Sequence, residues 1–359
     1  MLVALVLTAL GLVMLGSAGH SHRSGAEIVF KKQAVWVALA LCVFAVTACV
    51  DLRWIRRATW LVYLGTALAL GLVLVPDLGI KVNGAQRWLG WGSVRFQPSE
   101  LAKIALVLGL ADYLALNQRR MRTFRFGFIV PGLVAGVLCG LIFLQPDFGT
   151  TLLCATVALL LLFLSGTRLR YLLPAGLLCG GVFAVAVYLD PVRWERITSF
   201  LNVTANREDG AWQLWQGLLA FAAGGWDGVG LGNGRQQLAF LPEAHTDFIF
   251  PIIGEELGLW FTGGVVLLFL LMLGAGLRTL SQARNLYVFN VAAGALFFLT
   301  LQALVNMGVA TGSLPTKGLS LPFISYGGSN LLAMFCLVGL LVNCQRANAA
   351  PVLNGRREL

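Results

Sequence analysis

The sequence predicts an all-α, polytopic membrane protein with about ten transmembrane helices, and three observations predict it. Of the 359 residues, 58% are hydrophobic and only 12% are charged, whereas a soluble domain carries about a quarter charged residues. Mean hydropathy is +0.81. Long apolar runs recur near 1–17, 34–50, 58–76, 99–116, 127–144, 150–165, 171–189, 248–276, 288–306 and 327–343. A hydrocarbon core about 30 Å thick takes roughly 20 apolar residues per helical crossing, so each run reads as one span and the runs fill the chain. A single membrane domain over residues 1–359 follows, with no separate soluble catalytic domain.

The first run begins at Met1, lacks a basic n-region and ends in a weak cleavage sequence, Gly16-Ser17-Ala18-Gly19. It therefore reads as a retained helix and not as a signal peptide. With the N-terminus inside, the inner segments carry fourteen arginines, around 53–57, 119–125, 168–170, 278–284 and 346–357, against Asp51, Asp112 and Glu358. That is +11 inside, and −1 for the remainder of a chain whose net charge is +10. The imbalance is the positive-inside pattern. Both termini are expected in the cytoplasm, and the basic charge reports orientation, with no nucleic acid implied.

The 42 glycines suit close helix contact. None of the seven cysteines forms a CxxC pair and the three histidines are scattered, so no disulfide framework or zinc site is expected. Chemistry concentrates in three outer segments, 77–98, 190–247 and 307–326. The middle one, between the seventh and eighth spans, is long for a connection and therefore reads as functional. Within it Trp212, Trp215, Leu218, Leu219 and Ala222 recur at helical spacing. That pattern fits a helix in the membrane interface, or one packed on its neighbours.

Polar residues in or beside the spans are costly and usually have a partner or a task. Glu100 and Lys103, three apart on one helix face, can neutralise each other, with Ser99 placed as an N-cap. In Leu241-Pro242-Glu243-Ala244-His245-Thr246-Asp247-Phe248, a carboxylate reaches the outer mouth of the long eighth span. Apolar neighbours limit the solvation of Asp247, while His245 and Thr246 can hydrogen-bond it, an environment that tunes a carboxylate for general-base work. An ordinary N-cap is the alternative. Glu255 and Glu256 lie about two turns deeper and point to different faces. Six glycines from Gly224 to Gly234 precede Arg235. Their amides could cradle a phosphate or simply form a turn. Finally, Asn306-Met307-Gly308 through Lys317-Gly318 to Ser325-Tyr326 is too rich in Gly, Pro and Ser to continue a helix. At membrane depth it must be shielded by protein, which suggests a re-entrant loop near Asp247.

Together these motifs resemble the SEDS family (shape, elongation, division and sporulation) of bacterial peptidoglycan polymerases, from the first helix to the last. The resemblance is carried by Asn83-Gly84-Ala85-Gln86-Arg87-Trp88, the stretch Phe96 to Lys103, Gln145-Pro146-Asp147-Phe148-Gly149-Thr150, Gly228 to Phe250, Glu255-Glu256-Leu257-Gly258 and Leu314 to Ser329. Their wording is nearer the cell-division branch, FtsW, than the rod-elongation branch, RodA. The resemblance implies glycosyl transfer from lipid II at the outer face of the cytoplasmic membrane, a class B penicillin-binding protein as transpeptidase partner, and divisome membrane proteins nearby. It places the family's essential aspartate on Asp247, as general base or as ligand of a divalent cation (Mg or Mn), and its buried ion pair on Glu100 and Lys103. Lys317, Arg87 and Arg235, cations in the three outer segments, are assigned to the charged part of lipid II, with His245 and Ser325 in the same substrate-binding set. The rival expectations are a lipid II flippase, a platform that only recruits divisome proteins, and the same polymerase in rod elongation. A flippase calls for a polar path to the inner face, where Asp112 is the one anion seen within a span.

Overall fold

The computed structural model describes residues 1–18, 25–82, 85–91, 94–236, 245–316 and 318–349. Among them, seven helices are long and apolar enough to cross a membrane. They include α2 (Gly25–Cys49), α3 (Leu52–Leu74), α5 (Val130–Leu144, entered through a π-turn) and α7 (Leu169–Tyr188). Beyond α8 (Pro191–Leu201) and α9 (Trp212–Gly224) come the other three, α10 (Ile249–Ser281), α11 (Leu286–Ala310) and α12 (Gly328–Ala349). Helices α1 (Leu2–Ala18) and α6 (Phe148–Leu164) are shorter and apolar, and α4 (Pro98–Leu116) carries Glu100, Lys103 and Asp112. Every expected apolar run is thus helical, and the chain is a multi-pass membrane protein.

Two compact units emerge: Met1–Leu39 with Gly181–Met272 and Thr300–Leu331, and Ala40–Gly180 with Leu273–Leu299 and Leu332–Leu359. In the second unit, α3, α4, α5 and α6 pack on one another. Helix α4 is its axis. Sixteen of its residues are buried, because an apolar run from Ile104 to Ala111 lets neighbours close on every side. Gly294 of α11 allows this approach, since a Cβ there would meet Val107 at 2.8 Å. Asp112, at the end of α4 that the charge balance assigns to the cytoplasm, accepts Arg56 Nε at 2.7 Å and Trp60 Nε1 at 3.0 Å. Its charge is therefore matched in place, and it marks no open polar path.

The second unit also holds a three-stranded antiparallel sheet that the all-α reading did not anticipate: β1 (Gly79–Val82), β2 (Ala85–Trp91) and β3 (Val94–Phe96). Ile80 pairs with Trp88, and Leu89 with Phe96. Asn83-Gly84, two residues between alternating runs, is a hairpin signal; the expectation of helices alone passed over it.

In the first unit, Asp190 caps α8 by accepting the Arg193 N–H, with Pro191 in the first turn. Helix α9 confirms the helical spacing around Trp212, but its packed face is Leu214, Gly217, Ala220 and Gly224, while Leu219 and Ala222 are exposed. Helix α10 breaks at Gly258, where φ is 79°. The break frees carbonyls that a continuous helix would bond, and the glycine segment supplies their partners. Val229 N–H donates to Glu255 O at 2.9 Å, Gly230 N–H to Glu256 O at 3.0 Å, and Leu259 N–H to Gly225 O at 3.0 Å.

Candidate active site

The first unit brings together the segment before α10, the end of α11 and the loop from Thr311 to Gly327. Helix α10 starts at Ile249, so Asp247 stands two residues ahead of its first residue. His245, Thr246 and Asp247 are each half-buried, and Phe248, Ile249 and Phe250 behind them are buried. The carboxylate therefore has an apolar floor and an open side. Its Oδ2 lies so close to Gly318 that a Cβ at that position would sit 2.6 Å away. Only glycine lets the loop approach the carboxylate in this way.

The loop is fastened to the Asp247 segment by buried polar side chains. Asn306, 1% exposed, donates from Nδ2 to the Asp247 carbonyl at 2.9 Å and to the Leu319 carbonyl at 2.6 Å. Gln302, one turn earlier on α11, donates to Ser320 O at 2.8 Å, and Asn330 Nδ2 donates to Ser320 Oγ at 2.6 Å. Ser325 Oγ donates to the Thr246 carbonyl and accepts the Leu321 N–H, and Tyr326 N–H donates to the His245 carbonyl at 2.9 Å. Within this loop Phe323 is buried with φ at 68°, a conformation that a bulky side chain holds only when its surroundings impose it. Residues 318–327 are thus tied to the Asp247 segment by hydrogen bonds, close to where the sequence expected a loop. One boundary differs: Asn306, Met307 and Gly308 belong to α11, which runs to Ala310. An Asn whose amide serves two distant carbonyls does not end a helix. It uses the helix as a post.

Arg235 is exposed, with its backbone N–H 2.7 Å from Glu255 Oε1, and the Gln236 N–H also reaches this carboxylate, at 3.2 Å. It is the amides of Arg235 and Gln236, just past the glycines read as a phosphate cradle or a turn, that hold this protein carboxylate. Gly224 and Gly228 serve close backbone docking: a Cβ on Gly224 would meet Gly254 O at 1.9 Å, and one on Gly228 would meet Glu256 O at 2.3 Å. Glu256 accepts Ser17 Oγ at 2.5 Å, so the two glutamates do face different partners. Ser17 also lines a cavity of about 360 Å³ with Val13, Leu231, Gly232 and Asn233.

In the second unit, Lys103 Nζ lies 2.8 Å from both oxygens of Glu100, with Lys103 fully buried and Glu100 6% exposed. Ser99 is not the N-cap. Gln97 occupies that position with Pro98 behind it, and Ser99 Oγ instead donates to Asp147 Oδ2 at 3.4 Å. Asp147 in turn caps α6 through the Thr150 N–H at 3.2 Å. Arg87, a cation expected at lipid II, has contacts within the protein. Its guanidinium donates to the Gln145 carbonyl at 3.2 Å and the Pro146 carbonyl at 2.6 Å, clamping the α5–α6 turn to the sheet. Ser325 likewise has protein partners for its hydroxyl, the Thr246 carbonyl and the Leu321 N–H. Lys317 and residues 241–244 lie outside the described residues. Asn306 and Gln302, which the sequence reading left unassigned, were detectable as amides one turn apart in an apolar span.

The donor set was also weighed against a divalent cation. Among the described residues no group of three His, Cys, Asp or Glu side chains converges. A half-exposed single carboxylate nevertheless fits the way Mg²⁺ is commonly held, by one or two carboxylates together with substrate phosphates and water.

With this geometry in view, comparison with known proteins identifies the chain's relatives. The family described as cell cycle protein, FtsW/RodA/SpoVE, matches residues 1–350. A probable peptidoglycan glycosyltransferase FtsW from Halorhodospira halophila is 41% identical over 356 residues, covering 97% of this chain and 90% of the relative. One from Coxiella burnetii is 40% identical over 347 residues, covering 94% and 93%. Among solved structures, a chain from work on structural coordination of polymerization and crosslinking by a peptidoglycan synthase complex aligns with a TM-score of 0.82 at 29% identity, covering 97% of this chain and 96% of that one. The rod shape determining protein RodA of Thermus thermophilus aligns at 0.72 with 28% identity, covering 98% and 96%. The chain belongs to the FtsW/RodA/SpoVE family.

Proposed function

We propose that this member of the FtsW/RodA/SpoVE family polymerises peptidoglycan from lipid II at the outer face of the bacterial cytoplasmic membrane during cell division, with both termini in the cytoplasm. The chain is a peptidoglycan glycosyltransferase, as its relatives at about 40% identity are named over nearly their whole length. The observation that carries the catalytic assignment is Asp247: a half-buried carboxylate with an apolar floor, pressed against Gly318 and braced by Asn306 and Ser325. Each limit between the two units falls inside a helix, α2, α7, α10, α11 or α12, which supports treating residues 1–359 as one functional domain.

In this reading the acceptor sugar's 4-hydroxyl attacks the donor's anomeric carbon while the polyprenyl pyrophosphate departs. A carboxylate at Asp247 takes the hydroxyl proton as the new C–O bond forms. The apolar floor favours that transfer by denying the carboxylate full hydration. His245 lies beside the reacting groups, and Arg235 and Lys317 are assigned to the pyrophosphate, whose charge grows as it leaves. A divalent cation held by Asp247 together with the pyrophosphate would supply further charge neutralisation. The Glu100–Lys103 pair is structural. The family likeness to a structure of a peptidoglycan synthase complex supports a class B penicillin-binding protein as partner, with divisome membrane proteins in the same assembly.

The test is Asp247→Asn, which keeps the side-chain size and removes the charge. The purified variant should fold, bind its transpeptidase partner and accept lipid II, yet polymerise about 10² to 10⁴ times more slowly. Near-normal glycan synthesis by a folded variant would remove Asp247 from the chemistry.

A further inference from the structure

We infer that the connections α4–α5 and α6–α7 form one docking surface for the phosphate headgroups of anionic phospholipids. Arg119, Arg120, Arg122, Arg125, Arg168 and Arg170 all lie there and all are exposed. No Asp or Glu occurs in the sequence between Asp112 and Asp147, or between Asp147 and Asp190. Among the described residues none of the six arginines enters an ion pair, whereas Arg53 and Arg56, on the same side by charge, are matched by Asp51 and Asp112. Among the described residues the positive charge of this patch is therefore unmatched by any ion pair.

The two connections are held together as a single surface. Gln118 Nε2 donates to Ser165 O at 3.3 Å, and Thr167 Oγ1 donates to Gly127 O at 2.9 Å. Tyr113 Oη fixes the π-turn by donating to Phe126 O at 2.8 Å, and Met121 is buried beneath it. Rings brace the cations: Arg120 and Arg125 stand over Phe126 at 5.0 and 5.6 Å, and Arg170 over Tyr171 at 4.7 Å. A guanidinium fork so positioned matches a phosphate with two parallel hydrogen bonds.

What selects a lipid over a soluble anion is the apolar surface that adjoins the charge. Leu116, Phe124, Ile129, Phe163, Leu164 and Leu169 are exposed on the helix ends next to the arginines. Phe124 packs on Tyr171 with ring centroids 5.1 Å apart, an aromatic cluster suited to headgroup depth. Cations above and exposed aliphatic residues below match an amphiphile with a phosphate head and acyl tails. A free phosphate or an acidic peptide would use only half of this surface.

The experiment uses the full chain, purified in mild detergent and equilibrated with mixed micelles of phosphatidylcholine and cardiolipin, the retained lipid then being quantified by mass spectrometry. Each cation at an anionic lipid surface is worth about fivefold in affinity. Replacing Arg119, Arg122, Arg168 and Arg170 together by Gln should therefore cut the enrichment of cardiolipin over phosphatidylcholine by at least about tenfold, while Arg193→Gln with Arg207→Gln leaves it unchanged. Because the fourfold variant could fold poorly, the wild-type protein supplies a second reading: raising salt until the Debye length falls to about 3 Å should release most of the cardiolipin. Equal enrichment in a folded fourfold variant, or retention indifferent to salt, would overturn the inference. So would tighter binding of soluble polyglutamate than of cardiolipin, lost in the same variant, since that outcome assigns the patch to an acidic protein partner.

Discussion

Single side chains at the site divide into those that react and those that hold. Asp247 is expected to react, and Asn306 holds the two backbones that frame it. Replacing Asn306 with the similarly sized Leu strips the donor from the Asp247 and Leu319 carbonyls, and each buried group left unsatisfied costs about 1–3 kcal/mol. Unlike Asp247→Asn, Asn306→Leu should therefore lower both the unfolding temperature in detergent and the polymerisation rate; wild-type values for both would show that the clamp is idle. Lys103 gives the complementary case. Lys103→Met strands the Glu100 carboxylate in a buried site, a loss of about 3–5 kcal/mol, and Glu100→Gln added to it should recover most of that loss. If the double variant is no more stable than the single one, the pair is not what Lys103 contributes. The ion pair was legible from an i, i+3 spacing within an apolar run. The clamp was not, because a lone Asn near a helix end looks like the end of the helix until its two carbonyl partners, 59 and 13 residues away, are known.

At the level of elements, the break in α10 organises the first unit. Gly258 takes a φ of 79° and ψ of −176°, a region essentially reserved for glycine, where another residue costs about 1–3 kcal/mol. An added Cβ would also come within 2.2 Å of Trp226 O. Gly258→Ala should therefore lower expression and thermal stability, whereas Gly263→Ala, with nothing within 4 Å of its Cβ, should behave as wild type; equal tolerance of both would mean that the break is incidental. The glycines from Gly224 to Gly234 were visible in the sequence, yet their purpose was not. A glycine-rich stretch looks the same whether its amides await a phosphate or dock on a broken helix, and only the partner carbonyls of Glu255 and Glu256 distinguish the two. The hairpin of β1 and β2 was missed for a different reason: in a chain dominated by apolar helical runs, four- and seven-residue strands contribute little to any periodicity. Their turn dipeptide, Asn83-Gly84, was the usable signal.

For the whole molecule, composition was enough to give the class, since 58% hydrophobic and 12% charged residues leave no soluble alternative, and every apolar run became a helix. Orientation is a separate question that the fold does not answer by itself, and charge carries the proposal for it. An arginine that must cross the membrane during insertion pays for leaving water, so the segments that keep their arginines are those that did not cross. The proposed orientation then has residues 117–126 in the cytoplasm and 190–247, with α8 and α9, facing outward, where the sugars of lipid II would lie. Of the seven native cysteines, Cys154, Cys336 and Cys344 are buried but Cys42, Cys49 and Cys179 are exposed, so a labelling test with a membrane-impermeant maleimide starts from a parent with those three replaced by Ser. Arg122→Cys and Arg207→Cys each place a thiol at an exposed position. In intact spheroplasts only Arg207→Cys should react, and lysis should make Arg122→Cys react as well. Labelling of Arg122→Cys before lysis would invert every alternate segment, carry Asp247 to the cytoplasmic side, and with it remove the outer-face polymerase reading.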